Sequence, residues 1–198
     1  MTFVRKWIEF ADWPTISQFK GGLTINFISQ FAPHLTWSHV LLNCRSIGIN
    51  LAFVQQFRTY IHWPSFLTTL SRIQDSAEVI KIATEFADRL DLGRFLMLYR
   101  NQFGRDPPET FLTEFFDLIG ATNISKCRNL SGEFMVRFAN RLCWPMVSYH
   151  HQHLDSAFML TWGERLVDYI SWHDIPNDVV ANWSQDVYDK FLIFLKRG

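Results

Sequence analysis

The sequence predicts an all-α protein made of tandem short helix-turn-helix repeats that stack into an α-solenoid or compact superhelical array. Three observations predict it. Apolar residues recur in steps of four, as in Phe27, Phe31 and Leu35 or Phe134, Phe138 and Leu142, and that spacing lines one face of a helix. A tryptophan follows two residues behind several of these triplets, at Trp13, Trp37, Trp63 and Trp144. The whole pattern returns every 21 to 29 residues, a period that belongs to stacked helical units rather than to a globule around one core.

The units follow in order. The first carries Phe3, Trp7 and Ala11, then Trp13 and the pair Ile16-Ser17, before Gly21-Gly22 break the helix. The second runs Phe27, Phe31, Leu35 and Trp37 with Thr24 as its N-cap, and the third Phe53, Phe57, Ile61 and Trp63 with Asn50 as its N-cap. Ile82, Phe86, Leu90 and Leu92 keep the stripe without the tryptophan, as do Phe111, Phe115, Ile119 and Ala121, which lead to Ile124-Ser125. Ser131 caps the sixth unit, Phe134 to Trp144. Asp155 caps a seventh at Phe158, Trp162, Leu166 and Asp168. Val179, Trp183 and Val187, after Pro176, make a weak eighth, closed by Phe191, Leu192, Phe194 and Leu195. Loops are expected at Gln74 to Glu78 and at Gly104 to Pro108, because Asp106-Pro107-Pro108 interrupts any helix.

Each unit is expected to hold a helix of about three turns and a short second helix. Helices that short are marginal alone, so neighbouring units must cover one another. The Phe columns are then core, and the tryptophans pack between units. One domain over residues 1–198 is expected, with a bend near 104–108.

The segments Trp13 to Trp37 (W-P-T-I-S-Q-F-K-G-G-L-T-I-N-F-I-S-Q-F-A-P-H-L-T-W) and Ala121 to Trp144 (A-T-N-I-S-K-C-R-N-L-S-G-E-F-M-V-R-F-A-N-R-L-C-W) resemble the short Trp-containing tandem helical repeats of large DNA virus proteins. In those arrays W-x-x-I-S leads to L-S-x-x-F-I-x-x-F and then L-x-W. The resemblance implies a helical array, makes a host protein the natural partner, and supplies no catalytic residues.

Composition bounds the function. With 48% hydrophobic and 19% charged residues the chain has ample apolar matter for a core. Its net charge of +0 gives no global field for nucleic acid or an anionic membrane. Cys44, Cys127 and Cys143 are widely spaced, without a C-x-x-C pair, and read as reduced thiols. Arg5 and Lys6 interrupt the N-terminal apolar residues, so no signal peptide is expected, and no window is long and apolar enough for a membrane span. An intracellular, cytoplasmic or nuclear location follows as an expectation.

No phosphate-binding glycine loop, no G-x-S-x-G and no zinc motif occurs. No cofactor and no catalytic residue is therefore assigned, and a non-enzymatic protein-protein interaction module or scaffold is the expected function. Candidate binding residues are Lys126, Arg128, Glu133, Arg137 and Arg141, the last three spaced by four as if on one helical face. With Arg94, Arg100 and Arg105 the basic ones would make a stripe for phosphate, which defines the alternative of an RNA-binding repeat protein. A second alternative, an all-α enzyme, rests on the run from His150 to Asp155, whose histidines and carboxylate would hold Zn²⁺ if the backbone brought them together. The competing reading makes that run an inter-helix loop with Asp155 as a cap.

Overall fold

The structure, a computed structural model, describes residues 8–19, 23–42, 47–150 and 154–196. Expectations placed on Phe3, Trp7, Gly21, Gly22, Cys44, His151, Gln152, His153 and Arg197 lie outside the described residues. Among the described residues all regular structure is helical, without a strand. The chain divides into two compact units, Met1–Asp91 and Leu92–Gly198. The division falls at Asp91, whereas the Gly104–Pro108 break lies inside the second unit.

The first unit contains α1 (Trp13–Ser17), α2 (Ile25–Phe31), α3 (Trp37–Leu42), α4 (Leu51–Phe57), α5 (Trp63–Leu70), α6 (Ser76–Glu85) and a 3-10 turn at Ala87–Arg89. Caps start these helices where the sequence places them. The Phe27 N–H donates to Thr24 Oγ1 at 3.2 Å, and the Phe53 N–H to Asn50 Oδ1 at 2.9 Å. Each bond satisfies a donor that the first helical turn leaves without a partner. Asp75, in a segment expected as loop, is also a cap: its Oδ1 accepts from the Ala77 and Glu78 N–H groups. Helices of one kind pack on their own kind. Trp-led α1 packs on α3 and α3 on α5, while capped α4 packs on α6.

The second unit contains α7 (Leu92–Phe103), α8 (Glu109–Glu114), α9 (Phe116–Ile119), α10 (Ala121–Ile124), α11 (Gly132–Arg137), α12 (Trp144–His150), α13 (Ser156–Leu166), a 3-10 turn at Trp172–Asp174, α14 (Asn177–Ala181) and α15 (Gln185–Leu195). The Phe134 N–H donates to Ser131 Oγ at 3.1 Å and the Phe158 N–H to Asp155 Oδ1 at 2.8 Å. Capped α11 packs on α13 and α13 on α15, while α12 packs on the Trp172–Asp174 turn.

Two sets of hydrogen bonds recur through both units. The indole N–H groups of Trp13, Trp37, Trp144 and Trp172 each donate to the carbonyl five residues back, of Ile8, Ala32, Ala139 and Val167, at 3.0, 2.9, 2.8 and 3.1 Å. The bonds of Trp37, Trp144 and Trp172 tie the start of a Trp-led segment to the chain just past the helix before it, and each of the four satisfies an indole that burial would otherwise leave unpaired. The second set uses Ser17, Ser125 and Ser148, all fully buried. Their hydroxyls accept from the N–H of Thr36, Cys143 and Ser171 at 2.9, 2.8 and 3.1 Å, the residue just before Trp37, Trp144 and Trp172. Ser17 and Ser125 also donate to the carbonyl four residues back in their own helix, at 2.6 and 2.7 Å. One hydroxyl thus couples a short helix, Trp-led at Ser17 and Ser148 and Ala121-led at Ser125, to the start of the next Trp-led segment.

The expected three-turn helix is corrected. In F-x-x-x-F-x-x-x-L the third apolar residue lies past the end of the helix: α2 stops at Phe31 and Leu35 follows in a turn, α4 stops at Phe57 before Ile61, and α11 stops at Arg137 before Leu142. For α2 and α11 the early end accompanies the indole bond, for which the chain folds back within five residues so that Trp37 or Trp144 reaches its carbonyl; α4 ends early without such a bond from Trp63. The stripe Phe111, Phe115, Ile119 and Ala121 likewise divides among α8, α9 and α10, with Phe115 off helical geometry at φ −108°, ψ 24° and Gly120 at φ 85°. That positive φ favours glycine.

The seventh unit is corrected in register. Trp162, Leu166, Ile170 and Trp172 repeat the spacing of Phe27, Phe31, Leu35 and Trp37, so the column starts at Trp162 rather than Phe158. An extra turn at the front of α13 accounts for the difference of four. In the eighth, Val179 and Val187 sit on different helices, α14 and α15, and the Trp183 indole donates to the Leu154 carbonyl at 2.6 Å instead of to a neighbour five back.

The Phe columns form the core. Phe31, Phe53, Phe57, Phe86, Phe111, Phe134 and Phe138 are buried, and Phe66, Phe95 and Phe191 join them.

Candidate binding surface

The candidate residues all lie in the second unit, and the structure sorts them into two groups. The first gathers around Asp106. Lys126 and Arg128 follow α10, whose end is sealed by the Ser125 hydroxyl. The Arg128 N–H donates to Asp106 Oδ2 at 2.7 Å, while Oδ1 of the same carboxylate accepts from Arg100 Nε at 2.6 Å; Arg100 Nη2 lies 2.6 Å from that oxygen as an ion-pair contact without a hydrogen bond of its own. Asp106 is nearly closed off from solvent and so holds α7, the Gly104–Pro108 break and the chain after α10 together. A charged carboxylate in such a place requires these partners.

Positive charge dominates the surroundings of this pair. His150, at the end of α12, is held below its ordinary value, first by burial and then by the charges of Lys126, Arg100 and Arg128. Lys126, Arg100 and Arg128 therefore all oppose protonation of this imidazole. Arg100 belongs with the two candidates, a role that its place in a basic run only partly signals. Cys127 sits below this surface. Burial pushes its thiol up to about 12, with the Asp106 carboxylate adding to the effect and Arg100 opposing it. A thiol held protonated in this way is a packing residue and not a nucleophile.

The second group is built on aromatic rings. Phe116 and Phe138 stack with centroids 4.5 Å apart and planes within 13°. The Arg141 guanidinium lies over Phe116 at 4.2 Å and pairs with Asp117, while Arg137 lies 5.3 Å from the Phe138 centroid. Such cation-π contacts contribute about 0.5–1 kcal/mol each at exposed sites. The expectation of one helical face for Glu133, Arg137 and Arg141 is corrected: α11 ends at Arg137, and Arg141 reaches the same rings from the following turn. Glu133 stays exposed in the first turn of α11 and bonds to neither arginine. The stacked Phe116–Phe138 pair is the feature that sequence spacing could not supply, since it joins α9 to the end of α11.

Of the His150–Asp155 run only His150, Leu154 and Asp155 are described. Asp155 is engaged as the cap of α13, and no three His, Cys, Asp or Glu side chains come together as metal ligands among the described residues. Among the same residues no helix is long and apolar enough to cross a membrane. The described residues define an all-α protein whose second unit carries Arg137 and Arg141 at the surface over the buried Phe116–Phe138 pair. Comparison with protein-family models, with curated proteins and with solved structures finds no match to the chain.

Proposed function

We propose that the chain is a helical-repeat protein, an α-solenoid or compact superhelical array, that works as a non-enzymatic module or scaffold binding another protein. The observation that carries the reading is the recurrence of the indole-to-carbonyl bond five residues back, joined to the serine bonds that link a short helix to the next Trp-led segment. The same local bonds at Trp13 and Trp37, and again at Trp144 and Trp172, hold equivalent side chains in equivalent places, and stacked units bind through the surface those side chains sum to. The likeness of Trp13 to Trp37 and of Ala121 to Trp144 to the Trp-containing repeats of large DNA virus proteins supports the same reading and favours a host protein as partner.

The surface proposed for that partner is Arg137, Arg141 and Glu133 around the Phe138 edge. Cross-linking and affinity capture from host cells test it, with wild type beside Arg137→Glu and the double variant Arg137→Glu, Glu133→Lys. Specific partners are expected to be lost from both variants while their thermal unfolding stays within a few degrees of wild type, since both residues are exposed. Capture unchanged by either variant would remove this face from the interface.

A second reading has its own observation, the meeting of the Arg100 guanidinium and the Arg128 N–H on Asp106, with Lys126 two residues before Arg128. It makes this patch a phosphate contact for RNA. Binding of an RNA oligonucleotide should then weaken steeply with salt, and Lys126→Gln should lower the slope of log affinity against log salt by roughly 0.7–0.9. Affinity that ignores salt excludes it.

A further inference from the structure

Trp63 opens α5 as Trp37 and Trp144 open α3 and α12, yet it breaks their bonding rule. The tryptophans at 13, 37, 144 and 172 commit the indole N–H to the carbonyl five residues back. Among the described residues the Trp63 N–H bonds to nothing, and its nitrogen is not sealed from solvent. The ring itself is well held, against Phe66 at 5.4 Å and Phe86 at 4.8 Å. It is thus a fixed donor without an acceptor.

That donor lies on an open cleft of about 620 Å³ lined by Arg58, Thr59, Trp63, Glu85, Asp88 and Arg89 among others. Sites of roughly 300–1,000 Å³ take a drug-sized ligand or the side chains of a short peptide segment. Each carboxylate of the lining has one oxygen engaged by a neighbouring donor. Glu85 Oε1 takes Gln55 Nε2 at 3.2 Å, and Asp88 Oδ2 takes Arg89 Nε at 3.1 Å. The donors do not all have acceptors: the Arg58 guanidinium has no partner among the described residues, like the indole. Trp63 is also the first residue of an eight-residue helix whose N-cap, His62, makes no side-chain capping bond, so the positive end of that helix adds to the same field.

We propose that this cleft binds the carboxylate of an acidic side chain carried on a peptide segment of a protein partner. The carboxylate accepts from the Trp63 indole N–H and the Arg58 guanidinium, a charge-assisted pairing of the stronger class, and the neighbouring apolar part of the peptide lies against the exposed part of the Trp63 ring. The choice of a peptide rests on the protein-binding reading above.

The test uses the purified full chain labelled with ¹⁵N, in which the Trp63 indole resonance is the one absent from Trp63→Phe. Two capped hexapeptides are titrated, one with two central glutamates between leucines and one with glutamines in their place, alongside inorganic phosphate and acetate. The glutamate peptide is expected to move the Trp63 resonance and the glutamine peptide to leave it in place. Arg58→Gln and Trp63→Phe should each weaken binding by about tenfold, because each removes one bond to a charged acceptor. Equal movement by both peptides, no movement at millimolar peptide, or full affinity in Trp63→Phe overturns the proposal. Movement by phosphate or acetate without the peptide overturns the peptide as the source. Because only chain and peptide are present, failure here leaves the capture experiment on the Arg137 surface to stand or fall by itself.

Discussion

His150 is the residue where the chemistry of the surface becomes measurable. Burial and the three cations Lys126, Arg100 and Arg128 disfavour its protonated form in the folded chain, so its folded value lies below the ordinary value of about 6.5. The unfolded chain then binds the proton more readily. Stability is accordingly complete above about pH 6.5 and is lost as the pH falls through the folded value. Lys126→Gln removes one of the opposing charges and should raise the His150 value, read from its imidazole resonances, while flattening the acid-side decline of urea stability. His150→Gln should abolish that part of the decline. An unchanged imidazole titration in Lys126→Gln would mean that the Lys126 charge does not act on it. At this scale the caps were readable in advance, because Thr24, Asn50, Ser131 and Asp155 act on the next residues of the same chain. Trp37 and Trp144 were readable as packing residues, but their bond to a carbonyl five back was not, since it depends on how the chain turns after the helix.

Between elements, distances decide which residue types are allowed. Gly132 stands at the first position of α11, and a Cβ built there would meet the Trp162 ring of α13 at 2.3 Å. Helix preference and packing predict opposite signs for Gly132→Ala. Preference alone would stabilise the helix by about 0.5–1 kcal/mol. The rigid indole cannot yield as a flexible side chain would, and overpacking costs about 1–3 kcal/mol. Packing is expected to win, so Gly132→Ala should lower the urea midpoint, and Trp162→Leu in the same chain should recover part of the loss. A stabilised Gly132→Ala would show that α11 and α13 sit farther apart than described. From sequence, Gly132 passes for an indifferent second residue after a cap. The same limit hid the register of α13: Asp155 marks its start correctly, but nothing nearby in sequence signals the extra turn that moves the column to Trp162.

For the molecule as a whole, a repeat period and a division into units make different demands on cooperativity. The 21 to 29 residue spacing was readable from the apolar columns, and if it reflects the proposed array it demands nearest-neighbour coupling along the chain. The division at Asp91 was not readable, since it depends on which neighbours close around which core. Phe66 distinguishes the two demands. It is fully buried within residues 1–91, on α5 behind Trp63, and Phe66→Ala is expected to cost about 3–5 kcal/mol through lost transfer energy and the cavity left behind. If the two compact units have separate cores, that loss falls on the first. Native-state hydrogen exchange should show amides of α2 to α6 losing protection in Phe66→Ala while those of α11, α13 and α15 keep theirs. Equal loss across both groups would instead mark one continuous cooperative stack, in which deleting a ring in any unit weakens all of them.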